Sequence, residues 1–165
     1  MTTIYVFCYG SNLLLSRIKA RCPSVHLMGV GYINGHALKF HMQSTDGSGK
    51  ADAYQTDHTE DVVWGTLIGI SKADKIILDG HEELGSAYNE KQVTVWLREG
   101  LQTTAWVYVA SKNRIKAHLK PYCWYHRYVL KGAKENNLPT EYLKAIEAVG
   151  CDVDRDEQRR EKNLI

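Results

Sequence analysis

Three short segments hold the residue types best equipped for chemistry. Tyr9-Gly10-Ser11-Asn12-Leu13 joins a glycine, which lets a ligand approach the main chain, to two short polar side chains. At a strand-to-helix junction free backbone N–H groups converge, so such a turn suits a carboxylate or a developing oxyanion. Asp79-Gly80-His81-Glu82-Glu83 packs four ionisable side chains into five positions. Like charges crowded against an apolar helix face raise a carboxyl pKa toward neutrality, as acid/base work near pH 7 requires, and either Glu82 or Glu83 could serve. Tyr122-Cys123-Trp124-Tyr125-His126-Arg127-Tyr128 holds four rings and two potential cations in seven residues, material for the wall of a small-molecule pocket. Taken alone, each segment also has an ordinary structural reading: turn and cap chemistry, a solvated acidic loop, and core aromatics.

Other arrangements carry less. His36 and His41 are five residues apart on one expected strand, so they point to opposite faces, and no HExxH occurs among the seven histidines. No metal site is expected. Cys8 sits in an apolar strand, where a buried inert thiol is a better reading than a nucleophile served by His81. Gly29 and Gly31 do not complete a GxGxxG opening a helix, so no dinucleotide or other cofactor is expected.

The elements that must position these segments follow from periodicity and punctuation. Ile4 to Tyr9 is a β-branched and aromatic run stopped by Gly10, after which Ser11 or Asn12 can cap a helix carrying Leu13, Leu14 and Ile18 up to Pro23. Strands are expected around Val25 to Ile33 and His36 to Met42, turned by Asn34-Gly35 as a hairpin, followed by a flexible segment from Ser44 to Lys50. Ala51 to Thr56 and Val62 to Ile70 read as further strands, and Ser71 caps a helix ending at Asp79-Gly80, just before Glu82. Gln92 to Leu97 and Thr103 to Ala110 read as a pair around Glu99-Gly100, and two helices follow Pro121 with a break at Asn136 to Pro139. The pattern predicts an α+β domain over residues 1–150, a small curled, barrel-like mixed sheet with flanking helices, and a charged C-terminal tail over 151–165 that is solvated or a frayed helix.

With 165 residues, 44% of them hydrophobic, the chain fills one core. Its formal charge of +2 offers no broad attraction to nucleic acid, and no apolar run approaches a membrane span. Without a secretory signal, a cytoplasmic location is expected. Four dispersed cysteines, Cys8, Cys22, Cys123 and Cys151, suggest reduced thiols. A homodimer, for instance through the aromatic helix, is compatible with every reading.

Taken together, these segments resemble the γ-glutamylcyclotransferase family. Tyr9 to Leu13 is similar to its YGSNL signature, Val63-Trp64-Gly65 to its VWG strand, and Leu78-Asp79-Gly80-His81-Glu82 with Tyr88 to its LDxxE segment and downstream tyrosine. Tyr125 with Gly132-Ala133-Lys134-Glu135-Asn136-Asn137-Leu138-Pro139 resembles the GAKENxLP stretch of the branch acting on γ-glutamyl amino acids. The order and spacing agree over roughly residues 4 to 148. The resemblance implies a cofactor-free cyclisation of a small γ-glutamyl substrate to 5-oxoproline. It makes Glu82 the acid/base residue, since Asp79 stands three positions before it, and makes Tyr9, Gly10, Ser11, Asn12, Leu13, Tyr88 and Tyr125 substrate-binding residues. Two other readings remain at this level: a relative releasing a natural-product or ε-lysine amine, and a non-catalytic binding module.

Overall fold

The computed structural model describes residues 2–165. The chain begins with strand β1 (Thr3–Cys8), a single 3-10 turn (Ser11–Leu13) and helix α1 (Leu15–Arg21). Strands β2 (His26–Asn34), β3 (His36–Gln43), β4 (Gly49–Gln55) and β5 (Val62–Ser71) follow, then helix α2 (Lys72–His81). Strands β6 (Tyr88–Leu97) and β7 (Gln102–Ala110) form a hairpin, and helices α3 (Cys123–Glu135), α4 (Thr140–Glu147) and α5 (Glu157–Lys162) complete the chain.

Five strands close into a barrel in the order β1-β5-β2-β6-β7, and β3-β4 form a separate two-stranded sheet. Most pairs are antiparallel, and a parallel bridge between Val6 and Trp106 closes the ring, so the sheet is mixed and curled as the patterning predicts. Apolar side chains alternating inward on the strands, among them Phe7, Val63, Leu67, Val95 and Val107, fill one core cluster together with Leu13, Tyr125, Val129 and Ala133. Ser71 caps α2 by accepting a hydrogen bond from the Asp74 amide at 3.1 Å, the cap the sequence predicts. No helix is long and apolar enough to cross a membrane.

Four expectations need correction. Asn34-Gly35 does not close a hairpin: Gly35 does take a positive φ of 72°, but β2 is already paired with β5 on one edge and β6 on the other. With no free edge beside it, β3 leaves the barrel and pairs with β4. The segment Ser44 to Lys50, expected to be flexible, instead forms the turn between those two and the start of β4, tied by Lys50 Nζ to Asp46 at 2.8 Å and by Ser44 N to the Ser48 carbonyl at 3.0 Å. Residues 151–165 are largely exposed and contain the short helix α5, which is docked rather than frayed. Asp154 is 1% exposed and accepts from Trp124 Nε1 at 2.9 Å and from Arg159 Nε and Nη2, each at 2.6 Å, which docks α5 on the start of α3. A charge run reads as solvated only until one of its carboxylates finds a buried fork of donors.

The fourth correction concerns the cysteines: Cys8 and Cys22 are free and buried, whereas Cys123 and Cys151 form a disulfide. They lie 28 residues apart in sequence, but α3 and α4 double back, and Cys123 N donates to the Asp152 carbonyl at 2.9 Å while Asp152 N donates to that of Pro121 at 3.0 Å. The rings of α3 are likewise spoken for. Trp124, Tyr125 and Tyr128 are buried within the chain.

Candidate active site

The turn after β1 departs from simple capping. Ser11 and Asn12 cap nothing, because the chain makes a 3-10 turn first and α1 starts after Leu14, which is extended and without a side-chain cap. Both polar side chains are thereby released for other contacts. The amides of Leu13 and Leu14 donate to the carbonyls of Gly10 and Ser11, whereas those of Gly10, Ser11 and Asn12 have no protein acceptor among the described residues. Three main-chain donors in consecutive positions are the making of an anion site.

Helix α3 fixes this turn from behind. A Cβ on Gly132 would fall 2.5 Å from Leu14 N and 2.6 Å from Leu13 C, so only glycine lets the helix come this close. Asn136 Nδ2 donates to the carbonyls of Leu13 at 2.9 Å and Gly132 at 2.7 Å, tying the turn to the end of the helix. The Gly132 to Pro139 stretch thus positions the turn and does not itself line the cavity described below.

Glu82 follows α2 directly, its amide bonded to the Leu78 carbonyl at 2.9 Å. Its Oε1 accepts from Asn12 Nδ2 at 2.9 Å, and Asn12 Oδ1 in turn accepts from Arg21 Nη1 at 3.0 Å. The carboxylate is 16% exposed and Arg21 Nη1 lies 3.8 Å away. Burial pushes the Glu82 carboxyl above the usual glutamate range, against the pull of Arg21 and the Asn12 amide, while Asp79 adds to the rise. Glu83, the other candidate, takes a positive φ of 49° that turns the chain away, and its side chain is exposed. Asp79 braces Glu82's helix from the far side. It accepts from Tyr108 Oη at 2.6 Å and from buried Lys75, which also reaches Glu90 at 2.6 Å.

Between the turn and Glu82 lies a cavity whose walls include Phe7, Tyr9, Gly10, Ser11, Asn12, Ala51, Tyr88, Tyr108 and Tyr125. The tyrosines are held by the backbone. Tyr9 Oη donates to the Tyr108 carbonyl and Tyr88 Oη to the Ala51 carbonyl, each at 2.6 Å, and Tyr125 Oη accepts from Ala51 N at 3.1 Å. Burial holds the Tyr125 phenol up at about 12 and raises Tyr9 and Tyr88 as well, so all three remain protonated donors near neutral pH. Because its oxygen already accepts a bond, the Tyr125 hydroxyl proton is left to point at a ligand. A second cavity adjoins the first, sharing Ser11, Glu82, Tyr88 and Tyr125, with Arg17, Arg21, Lys50 and Trp124 along its own wall.

Of the residues singled out in the sequence, Tyr9, Gly10, Ser11, Asn12, Glu82, Tyr88 and Tyr125 therefore meet around one space. Leu13 does not. Its side chain is 1% exposed in the core and its amide is used by Gly10, because the 3-10 turn rotates it inward. Tyr108 and Ala51 were not foreseen, since each is one residue in an alternating strand with no motif around it. Cys8 borders the cavity, but burial drives its thiol pKa up and keeps it un-ionised. His41 Nε2 is bound to Asp52 at 2.6 Å and His36 to Asn34 and Lys91, so neither histidine belongs to the site.

A family model described as the AIG2-like family matches residues 62–146. Gamma-glutamylcyclotransferase of Mus musculus is 33% identical over 153 residues, covering 89% of this chain and 79% of the relative. The Homo sapiens protein of the same name is 33% identical over 149 residues, covering 87% and 77%. A solved structure titled gamma-glutamyl cyclotransferase superposes with a TM-score of 0.84 at 28% identity, over 98% of this chain and 99% of that one. On this match in sequence over most of its length and on its fold, the chain belongs to the γ-glutamylcyclotransferase family.

Proposed function

We propose that the protein converts γ-glutamyl amino acids, or related γ-glutamyl amines, to 5-oxoproline and the free amine, with Glu82 as the acid/base residue. A γ-glutamyl amide carries its own nucleophile, so catalysis consists of holding a folded conformer and moving a proton. With the α-amine in its neutral form, its lone pair forms the bond to the γ-carbonyl carbon while the Glu82 carboxylate accepts a proton from that nitrogen. The tetrahedral intermediate then collapses, the bond to the departing nitrogen breaks, and Glu82 returns the proton to it. One proton moves between two nitrogens. The residue is left as it began, and no acyl-enzyme forms.

The observation that carries this reading is the Asn12-to-Glu82 hydrogen bond of 2.9 Å, which joins the carboxylate to the turn bearing three unpaired amides. Those amides suit the substrate's α-carboxylate or the oxygen that becomes negative in the intermediate, and donors fixed in advance stabilise such charge without reorganising. The raised pKa of Glu82 suits a group that must both take and give a proton near neutrality. Tyr88 and Tyr125 would orient the chain of the glutamyl group. A carboxylate beside an anion-binding turn weakens simple anion binding, which argues against a non-catalytic module. A cytoplasmic site of action belongs to this proposal, and there the Cys123–Cys151 bridge would be open to reduction. The test is to incubate the purified protein with a panel of γ-glutamyl amines and follow 5-oxoproline by mass spectrometry. Product from γ-glutamyl amino acids is the expected result, and tight ligand binding without product would turn the reading toward a binding module.

A further inference from the structure

The outer cavity carries more positive charge than the cyclisation uses. Arg17, on α1, lays its guanidinium carbon 4.5 Å from the centre of the Tyr128 ring and donates from Nε to Ser11 Oγ at 3.2 Å. These two contacts fix the plane of the group, while both terminal nitrogens have no partner among the described residues. The neighbouring cations are engaged. Arg21 serves Asn12 and Glu82, and Lys50 is bound to Asp46 and Ser48, each at 2.8 Å. A half-buried guanidinium with no carboxylate partner pays a desolvation cost that an incoming anion would offset. Burial, with Arg21 adding to it, presses the Arg17 pKa downward, and the more distant Glu82 offsets this only in part.

We infer that Arg17 clamps the α-carboxylate of the departing amino acid, and so determines preference for γ-glutamyl amino acids over γ-glutamyl amines that lack this group. The inference rests on the cyclisation reading and extends it to the leaving half of the substrate. Glu82 borders both cavities, so a scissile amide beside it puts the two halves of the substrate on opposite sides. The inner cavity, with its unpaired amides, takes the glutamyl half, and Arg17 is no part of its wall. In the outer cavity the anions are Glu82 itself and exposed Glu83, so the terminal fork of Arg17 is the free donor pair available to a carboxylate on the leaving side. A planar fork held in place by stacking loses little freedom on forming a bidentate pair.

The test compares γ-L-glutamyl-L-alanine with γ-L-glutamyl-ethylamide, which differ by one carboxylate, in wild type, Arg17→Gln and Arg17→Lys. The variants supply the baseline for the intrinsic difference between the two leaving amines. In wild type the ratio of kcat/KM for the alanine compound over the ethylamide should exceed that of Arg17→Gln by roughly 10- to 100-fold, the worth of a charge-assisted pair. Arg17→Lys, which keeps the charge but loses the fork, should fall between. A ratio that Arg17→Gln leaves unchanged, with 5-oxoproline formed from both compounds, overturns the inference alone. No 5-oxoproline from either compound in wild type overturns the cyclisation reading and this inference with it. Should Arg17→Gln fail to fold, Arg17→Lys supplies the comparison, and a ratio it leaves at the wild-type value contradicts the clamp.

Discussion

Replacing Gly132 by alanine probes the contact that holds the anion-binding turn. The new methyl carbon would lie 2.5 Å from Leu14 N and 2.6 Å from both Leu13 C and Leu13 Cβ. Ordinary contact is about 3.5–4.0 Å, so α3 and the turn must separate by roughly 1 Å. Overpacking of this kind costs about 1–3 kcal/mol, whereas alanine in a helix interior recovers up to about 1 kcal/mol over glycine. The net loss is about 1 kcal/mol, or a drop in Tm of about 2–4 °C for a chain of this size. The effect on activity is much larger, because a displacement of about 1 Å at the reacting groups is worth on the order of 10²-fold in kcat. Gly80 supplies the control. It lies in α2 with nothing within 4 Å of its would-be Cβ, so Gly80→Ala should stabilise the fold by about 0.5–1 kcal/mol. Thermal unfolding and 5-oxoproline turnover read both variants. If Gly132→Ala melted at or above wild type with full turnover, the close approach would not hold the turn as argued.

Other consequences follow from the same structure. Because the folded state raises the Glu82 pKa, the carboxylate is destabilising above that pKa and its effect vanishes when the group is protonated in both states. Glu82→Gln should therefore match or exceed the wild-type Tm at pH 7–8, an advantage that fades below the unfolded glutamate pKa of about 4.3. The acid limb of kcat/KM in wild type should lie above that value for the same reason. Asp154→Asn should lower Tm at neutral pH by several degrees, since Arg159 and Trp124 hold the carboxyl well below its usual range. Its contribution is present above the unfolded aspartate pKa and is lost as pH falls through the folded one, so melting curves of the two proteins should converge in acid. Reducing the Cys123–Cys151 bridge, which closes a span of 28 residues, should cost up to about 3–4 kcal/mol, read as a lower Tm in dithiothreitol that a Cys151→Ser variant no longer shows.

Local signals in the sequence proved readable where one physical effect dominates. The run from Ile4 to Tyr9, the Ser71 cap and the Glu99-Gly100 turn each depend on neighbours a few residues away, and each appears in the fold. Asn34-Gly35 misleads because a hairpin also needs a free strand edge, and the edges of β2 are taken by strands 30 to 60 residues downstream. Ser11 and Asn12 look like caps for a similar reason. Asn12 is instead used by Glu82, 70 residues away and brought near only by the fold, and Ser11 by Arg17 on the helix that follows. Asp154 in a charged run and Arg17 among 21 basic residues carry no local mark at all. Their importance lies in what surrounds them, a buried indole in one case and a tyrosine face in the other. The assembly of Tyr9 to Asn12 with Glu82, Tyr88 and Tyr125 was legible through the family resemblance, because motif order carries the long-range information that periodicity lacks.

The central claim is that a single carboxyl group carries the proton, and side-by-side turnover of Glu82→Gln and Glu83→Gln on γ-L-glutamyl-L-alanine tests it most directly. Glutamine keeps the size of the side chain and can still pair with Asn12, but it cannot accept the proton. The account predicts that Glu82→Gln forms no detectable 5-oxoproline while unfolding at or above the wild-type temperature, and that Glu83→Gln turns over within a few-fold of wild type. Wild-type turnover by Glu82→Gln, with the loss appearing in Glu83→Gln instead, would contradict it.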